Sequence, residues 1–120
     1  MIKRVAIDLP LAQYHKVSEK YLMYLMDQLD TLGESIDDFN CDYSSGILNF
    51  NVRHHKYVLN KQPPNKQIWW SSPISGPLRF DFDGKVWFNK HNQLISDLLQ
   101  KEWNEMTKQN VSINKFKEPM

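Results

Sequence analysis

Cysteine is almost absent from this chain: Cys41 is the only one in 120 residues. A single cysteine cannot form an internal disulfide, and it cannot supply the several thiolates of a structural zinc site or a redox motif. Long hydrophobic runs are missing too, since no apolar segment approaches the roughly 18 residues that a membrane-spanning helix needs. These absences exclude disulfide scaffolds, thiol-based metal cages and helical membrane proteins, and we expect a soluble domain.

Neither sign of charge is in excess, because 15 basic and 14 acidic residues leave a formal net charge of +1. Proteins that bind nucleic acid or a membrane surface normally carry a basic excess, so this balance gives no reason to expect either partner. Residues 1–10 also lack the apolar core of a signal peptide. The length of 120 residues, of which 41% are hydrophobic, is typical of one domain with a modest core.

Apolar residues recur with helical spacing near both ends of the chain. The first stripe consists of Leu11, Tyr14, Ser18, Leu22, Leu25, Leu29 and Leu32. This period predicts an amphipathic helix over 11–33, with Pro10 in its first turn and Gly33 at its C-terminal cap. A second helix is predicted from about Asn92, its N-cap, and a loosely held polar tail follows after about Asn110. The buried face of this second helix contains Ile95, Leu98, Leu99, Trp103 and Met106.

Between the two helices the hydrophobic period changes to an alternation, which is typical of strands. The predicted strands are 37–43, 47–52, 56–62, 66–72, 78–82 and 85–88. Short turns separate them, so neighbouring strands should be antiparallel. The sequence therefore predicts an α+β, two-layer sandwich, with two helices packed on one face of a five- to seven-stranded, mainly antiparallel sheet. We expect a single domain over 1–120, with an ordered core at about 9–109.

One face of such a sheet is open to water, and alternation decides which side chains occupy it. Trp69 and Trp70 are adjacent, so one indole must point to the helices and the other to solvent. Ile68 shares the parity of Trp70, which puts Trp69 on the open face. An exposed Trp beside amides and a guanidinium is typical of a protein-binding hot spot, and the alternative is a lone aromatic covered by its neighbours' aliphatic stems. The side chains predicted to meet there are Asn60, Gln62, Gln67, Trp69 and Arg79.

The segment around these residues resembles a known family. NKQPPNKQIW (60–69), followed by SSPISGPLRFD (71–81), resembles the signature of eukaryotic frataxins. The resemblance extends from about Leu9 to Met106, nearly the whole chain. Further matching segments are LPLAQYH (9–15), SGIL (45–48), the turn from Gly84 to Trp87, and SDLL (96–99).

The resemblance implies a mitochondrial protein of iron–sulfur cluster assembly, in the matrix or in a mitochondrion-derived organelle. Frataxins are thought to bind the complex of cysteine desulfurase and cluster scaffold and to stimulate sulfur transfer. Delivery of Fe²⁺ is attributed to them as well, including delivery for haem synthesis with ferrochelatase as a partner. Trp87 matches a tryptophan that we interpret as structural. Carried over by position, the partner-binding residues are Asn60, Lys61, Gln62, Asn65, Lys66, Gln67, Trp69 and Arg79.

The resemblance also implies weak Fe²⁺ binding by acidic residues of the first helix and first strand. Carboxylates grouped on one surface give Fe²⁺ hard oxygen ligands, but without His or Cys the site is open and weak. This chain departs from the family, because Lys16, Lys20 and Met23 occupy positions that are commonly acidic in relatives. We expect lower iron affinity than usual and no organic cofactor, and a plain solvated helix face is the alternative. The candidate ligands are Glu19, Asp27, Asp30, Glu34, Asp37, Asp38 and Asp42.

Three classes of function remain open. The leading hypothesis is a non-catalytic effector and iron chaperone, a monomer that forms oligomers with iron. The second is a ferroxidase that oxidises Fe²⁺ to Fe³⁺ and stores it, and the third is a binding module for another partner. No catalytic triad, phosphate-binding glycine loop or zinc motif is recognisable in the sequence.

Overall fold

Two helices enclose six strands along residues 3–113, the part of the chain that this computed structural model describes. Helix α1 spans Leu11–Gly33 and helix α2 spans Ile95–Thr107. The strands are β1 (Asn40–Ser44), β2 (Ile47–Val52), β3 (His55–Gln62), β4 (Gln67–Ser72), β5 (Gly76–Phe82) and β6 (Trp87–Phe88). Within the described range, neither helix is long and apolar enough to cross a membrane.

The six strands form one sheet in sequence order, and each pairs antiparallel with the next. Short loops explain this meander, because they only allow a strand to return beside its predecessor. Both helices pack on one face of the sheet. The prediction of a two-layer α+β sandwich is therefore confirmed, with a strand number inside the predicted range.

The predicted strands are too long at two places. The first begins at Asn40 rather than at residue 37, since the chain turns at Asp38, whose φ is 60°. The last is reduced to Trp87–Phe88 because the Asp83 carboxylate holds a turn: its Oδ1 accepts hydrogen bonds from the backbone N–H groups of Lys85 and Val86, both at 2.8 Å. Both turns are set by a single Asp residue, Asp38 through its left-handed backbone and Asp83 through its side chain, which alternation does not reveal.

Helix α1 buries the predicted stripe from Tyr14 to Leu29 and half-buries Leu32, but Leu11 is 51% exposed and does not belong to it. Pro10 is the N-cap residue rather than a member of the first turn, and its carbonyl accepts the N–H of Tyr14 at 3.0 Å. The stripe therefore begins one turn later than predicted. Tyr14 is its most connected member: its hydroxyl donates to the carbonyl of Gln67 at 2.7 Å and accepts the N–H of Gln62 at 2.9 Å, which ties α1 to β3 and β4.

Gly33 has a different role from the one predicted. It is the last helical residue, and Glu34 follows as the C-cap with ordinary right-handed dihedral angles. A Cβ at position 33 would overlap the ring of Phe39. Phe39 packs in turn against Trp103 of α2, with ring centroids 5.9 Å apart. Glycine is therefore needed here for close packing and not for a left-handed cap.

Helix α2 begins later than predicted. Asn92 has a left-handed φ of 60° and lies in a turn, while Leu94 is the N-cap residue. The turn is organised by Asn89, whose Oδ1 accepts the N–H groups of His91 and Gln93, each at 3.0 Å. The predicted buried face is confirmed for Ile95, Leu98, Leu99 and Trp103, whereas Met106 is half-buried.

The segment after α2 is held more firmly than the sequence suggested. Asn104 forms a two-way pair with the backbone of Val111, donating to its carbonyl at 3.1 Å and accepting its N–H at 2.9 Å. Ile113 is 5% exposed, packs in the core, and donates its N–H to Gln100 Oε1 at 2.7 Å. The prediction of a loose tail from about Asn110 is wrong up to residue 113, and residues 114–120 lie outside the described range.

Candidate functional site

Trp69 and Trp70 point to opposite faces of the sheet, as alternation predicts. Trp70 is 2% exposed and contacts the rings of Tyr57 and Phe80 at 5.7 and 5.9 Å, beneath the helices. Trp69 is half-buried on the opposite, helix-free face. Trp87 is buried against Phe82, which confirms its structural role.

A row of side chains crosses the open face from β2 to β5. Ile47 pairs with Asn60, Asn60 with Trp69, and Trp69 with Arg79. Opposite residues of antiparallel strands lie on the same face with Cβ atoms about 5 Å apart, so the four side chains are neighbours. Ile47 is exposed, which adds an apolar end to the row that the predicted residue set did not include.

The indole of Trp69 is held in a fixed orientation. The Arg79 guanidinium lies over its ring at 4.7 Å from the centroid. Its Nε1 donates to Gln67 Oε1 at 2.9 Å, and Gln67 Nε2 donates to Asp81 Oδ1 at 3.0 Å. Contacts on the face and on the edge of the ring leave it little rotational freedom. A side chain ordered in advance loses less entropy when a partner covers it, which favours binding.

The loop between β6 and α2 forms a wall beside this row. Together with the sheet it encloses an open cleft of about 820 Å³, whose lining includes Trp69, Arg79, Asp81, Lys90 and His91. Lys90 and His91 are exposed. Sequence reasoning did not assign these loop residues to the site, because no local pattern indicates which loop approaches which sheet face.

The structure brings together only part of the predicted partner-binding set. Asn60, Gln62, Gln67, Trp69 and Arg79 share the open face, as their pairing and parity require. Lys61 has the opposite parity, and its Nζ lies over the Tyr14 ring at 5.9 Å on the helix side. Asn65 and Lys66 lie at the end of the sheet near the N-terminal segment, where Lys66 Nζ is 3.3 Å from Asp8 Oδ1.

The candidate iron ligands do not form one cluster. Glu19 is half-buried and accepts a hydrogen bond from the hydroxyl of Tyr43, which occupies one of its oxygens. Asp38 lines a separate polar cleft with Asn40, Asn51 and His54. The remaining candidates are all exposed: Asp27, Asp30, Glu34, Asp37 and Asp42. Among residues 3–113 there is no group of three or more His, Cys, Asp or Glu positioned to hold a metal ion.

Two of these carboxylates, Asp30 and Asp42, lie near the thiol of Cys41. Burial, together with the nearby charges of Asp30 and Asp42, raises the pKa of its thiol to about 12. A thiol with this pKa is protonated at neutral pH, so a metal ion would have to displace its proton before the sulfur could bind as a thiolate. The ligands that need no such step are the carboxylate oxygens of Asp30 and Asp42, which give the weak, open type of site.

A two-layer sandwich with an antiparallel meander and one open sheet face defines the frataxin-like class of domain, and the family model described as "Frataxin-like domain" matches residues 7–109. The frataxin homologue of Saccharomyces cerevisiae is 38% identical over 106 residues, which are 85% of this chain and 61% of the yeast protein. The Drosophila melanogaster homologue is 43% identical over 101 residues, 76% of this chain and 53% of that protein. This chain belongs to the frataxin family.

Solved structures agree with this assignment. A trimeric frataxin from S. cerevisiae, complexed with ferrous iron, superposes with a TM-score of 0.70 at 32% identity, covering 88% of this chain and 92% of that one. A frataxin from Psychromonas ingrahamii has a TM-score of 0.75 over 87% of this chain and 97% of its own, and its 15% identity speaks for the fold alone.

The family is iron-binding and linked to iron–sulfur biogenesis. The yeast, fly, Dictyostelium and Arabidopsis relatives are named mitochondrial, which confirms the mitochondrial assignment. The chain spans about half to three-fifths of the length of the yeast and fly relatives.

Proposed function

We propose that this protein is a non-catalytic effector of iron–sulfur cluster assembly in the mitochondrial matrix. Its open sheet face docks on the complex of cysteine desulfurase and scaffold protein and stimulates sulfur transfer to the scaffold. The observation that carries the proposal is the cross-strand row that ends at Trp69 and Arg79, where an indole is held by a guanidinium above it and an amide at its edge.

The composition of this row matches the energetic centre of protein interfaces. Trp and Arg are the residue types most often found as hot spots, and truncation of a hot spot costs at least about 2 kcal/mol of binding free energy. Asn60 and Gln67 add amide groups that can donate and accept hydrogen bonds around the indole. The surface therefore offers an ordered anchor with a polar rim.

Iron enters this proposal as cargo. We propose that Fe²⁺ binds weakly to exposed carboxylates near Cys41. Asp30 and Asp42 are the principal ligands, and further acidic residues of α1 extend this surface. Lys16, Lys20 and Met23 are exposed on the same helix, and the two lysines reduce the local negative charge. Delivery for haem synthesis and assembly into iron-dependent oligomers belong to the same proposal.

The docking proposal is tested by measuring sulfide production by the desulfurase–scaffold complex with and without this protein. Trp69→Ala should raise the concentration needed for half-maximal stimulation about 30-fold, the equivalent of about 2 kcal/mol of binding free energy. Asn60→Lys should act in the same direction, since it places a bulky charge in the row. Met23→Ala and Asn110→Lys, at exposed positions outside the row, are the matched controls.

The role of iron is separated by repeating the assay with added Fe²⁺ and with a chelator. Stimulation that survives chelation supports the effector role. If Trp69→Ala stimulates as well as the parent protein, the docking surface is wrong. If stimulation disappears on chelation, iron delivery and not docking is the primary function.

A further inference from the structure

Glu102 of α2 is an acidic residue in the interior, only 2% exposed. Its Oε1 accepts two hydrogen bonds, from the Tyr57 hydroxyl at 2.7 Å and from the Ser72 hydroxyl at 2.5 Å. Its other oxygen, Oε2, is buried and has no partner among the described residues. A buried carboxylate oxygen without a donor is costly, because it has lost its hydration without compensation.

The two donors also fix where the carboxylate lies. Ser72 Oγ accepts the N–H groups of Ile74 and Ser75 at 3.0 and 3.2 Å, so it belongs to a rigid turn between β4 and β5. Tyr57 remains a donor at neutral pH, because burial and its bond to Glu102 both raise its pKa. Oε1 is occupied by these two groups, so Oε2 is the carboxylate oxygen that still lacks a donor.

Glu102 forms part of the wall of a cleft of about 270 Å³ between the β4–β5 turn and α2. Three apolar side chains line this cleft: Ile74, Leu78 and Leu98. The charged and titratable groups that face it are Glu102, Glu105, Lys101 and His91. A single buried carboxylate beside apolar walls suits a ligand with an aliphatic stem and a cationic head.

This cleft is adjacent to the cleft beside Trp69. Leu78 and His91 line both of them, so a partner that covers the open sheet face at Trp69 also lies close to the cleft beside α2. The two clefts differ in charge: Arg79 and Lys90 line the first, whereas Glu102 and Glu105 line the second. Ile74, at the rim of the second, is 47% exposed and offers apolar surface to an entering side chain.

We infer that the cleft at Glu102 receives an arginine or lysine side chain of the partner that docks on the open sheet face. The inference rests on the proposed function for the source of this side chain, but not for the site itself. The cationic head would donate to Glu102 Oε2 and approach Glu105, while the aliphatic stem would lie along Ile74 and Leu78. A hard metal ion suits these apolar walls poorly, since it requires several oxygen ligands.

The site is tested on the protein alone, by titrating ¹⁵N-labelled protein with n-butylguanidinium chloride and following amide chemical shifts. Equal concentrations of n-butanol with sodium chloride serve as the control ligand. We expect saturable shifts around the β4–β5 turn and α2 with the guanidinium and not with the alcohol. Glu102→Gln should weaken the affinity about tenfold, since it removes the charge from the buried acceptor.

Exposed positions keep the test valid if Glu102→Gln does not fold. Glu105→Lys should weaken binding about fivefold, Lys101→Glu should strengthen it, and Asp37→Lys, away from the cleft, should leave it unchanged. Shifts that rise linearly without saturation, or an affinity unaffected by Glu105→Lys, would overturn the site.

The occupant is tested with the desulfurase–scaffold complex, by measuring the affinity of the same variants. Weaker binding for Glu105→Lys and tighter binding for Lys101→Glu support a basic partner side chain in the cleft. Unchanged affinity in both overturns the occupant. If the wild-type protein does not bind the complex, the proposed function is wrong, and the partner side chain is wrong with it. The cation site itself is still supported in that case if n-butylguanidinium saturates the cleft.

Discussion

Replacing the turn residues Arg53 and His54 by Asn and Gly should stabilise the protein. These residues form the two-residue connection between β2 and β3, since Val52 pairs with His55. Both have left-handed backbone angles, with φ values of 49° and 73°. Hairpin turns of this kind strongly favour Asn-Gly, because L-residues with a Cβ are disfavoured at positive φ.

The magnitude follows from the two positions. Left-handed angles cost an ordinary L-residue roughly 1–2 kcal/mol, and Gly at position 54 removes this cost. Gly also increases the conformational freedom of the unfolded chain, which destabilises the folded protein by about 0.5–1 kcal/mol and offsets part of this gain. Asn at position 53 adds a smaller gain, so we expect the free energy of unfolding to rise by about 1 kcal/mol. For a chain of this size the melting temperature should rise by roughly 3–5 °C.

Urea unfolding measures this change as a higher midpoint with an unaltered m-value. The β1–β2 turn supplies an internal control, because Gly46 occupies the equivalent position with a φ of 77°, and Gly46→Ala should destabilise by a similar amount. Arg53→Ala removes the charge without relieving the strain and should give no gain. A midpoint that stays the same or falls in the Asn-Gly variant would refute the reasoning from backbone strain.

Four further outcomes follow from packing and burial. Ile113→Ala should lower the free energy of unfolding, measured in urea melts, by about 2–4 kcal/mol, because the side chain is packed in the core. A change below about 0.5 kcal/mol would show that the segment after α2 is not packed there. Gly33→Ala should destabilise the protein by about 1–3 kcal/mol, because the added Cβ overlaps the ring of Phe39. This cost should exceed the gain from the higher helix propensity of Ala, so a stabilised variant would contradict the close packing. Iodoacetamide at pH 8 should label Cys41 roughly a thousandfold more slowly in the native than in the urea-unfolded protein, because the pKa of its thiol is raised from 9.0 to about 12. Equal labelling rates would contradict the raised pKa. The same shift predicts that the stability contributed by this neutral thiol is present below about pH 9 and is lost as the pH rises towards 12.

Local period was sufficient for the layers and for the centre of the site. The stripe of α1 predicted its buried face from Tyr14 onwards, and alternation predicted that Trp69, and not Trp70, faces water. Both results depend only on the fixed geometry of helices and strands, in which sequence spacing determines side-chain direction. Lys61 is among the predicted partner-binding residues because it matches a family position. Its place in the alternation of β3 points it to the helix side of the sheet, away from the other residues of that set.

Other features depend on residues that are far apart in the chain. Gly33 looked like a helix cap, and only the approach of Phe39 shows why a Cβ is excluded there. The tail after α2 looked polar, yet Ile113 is buried by packing that its neighbours in sequence do not indicate. Single turns held by Asp83 and Asn89 set the ends of β6 and α2, and no periodicity reports them.

The sequence by itself determined the two-layer sandwich, the open face and the row that contains Trp69, since each follows from side-chain direction within one element. Only the tertiary structure decided that His91 lines both the sheet-face cleft and the cleft beside α2, and that Tyr57 and Ser72 share one oxygen of Glu102 while the other has no donor. The physical reason is that such contacts arise where separate elements pack, and their geometry depends on the whole core and not on the spacing within any one segment.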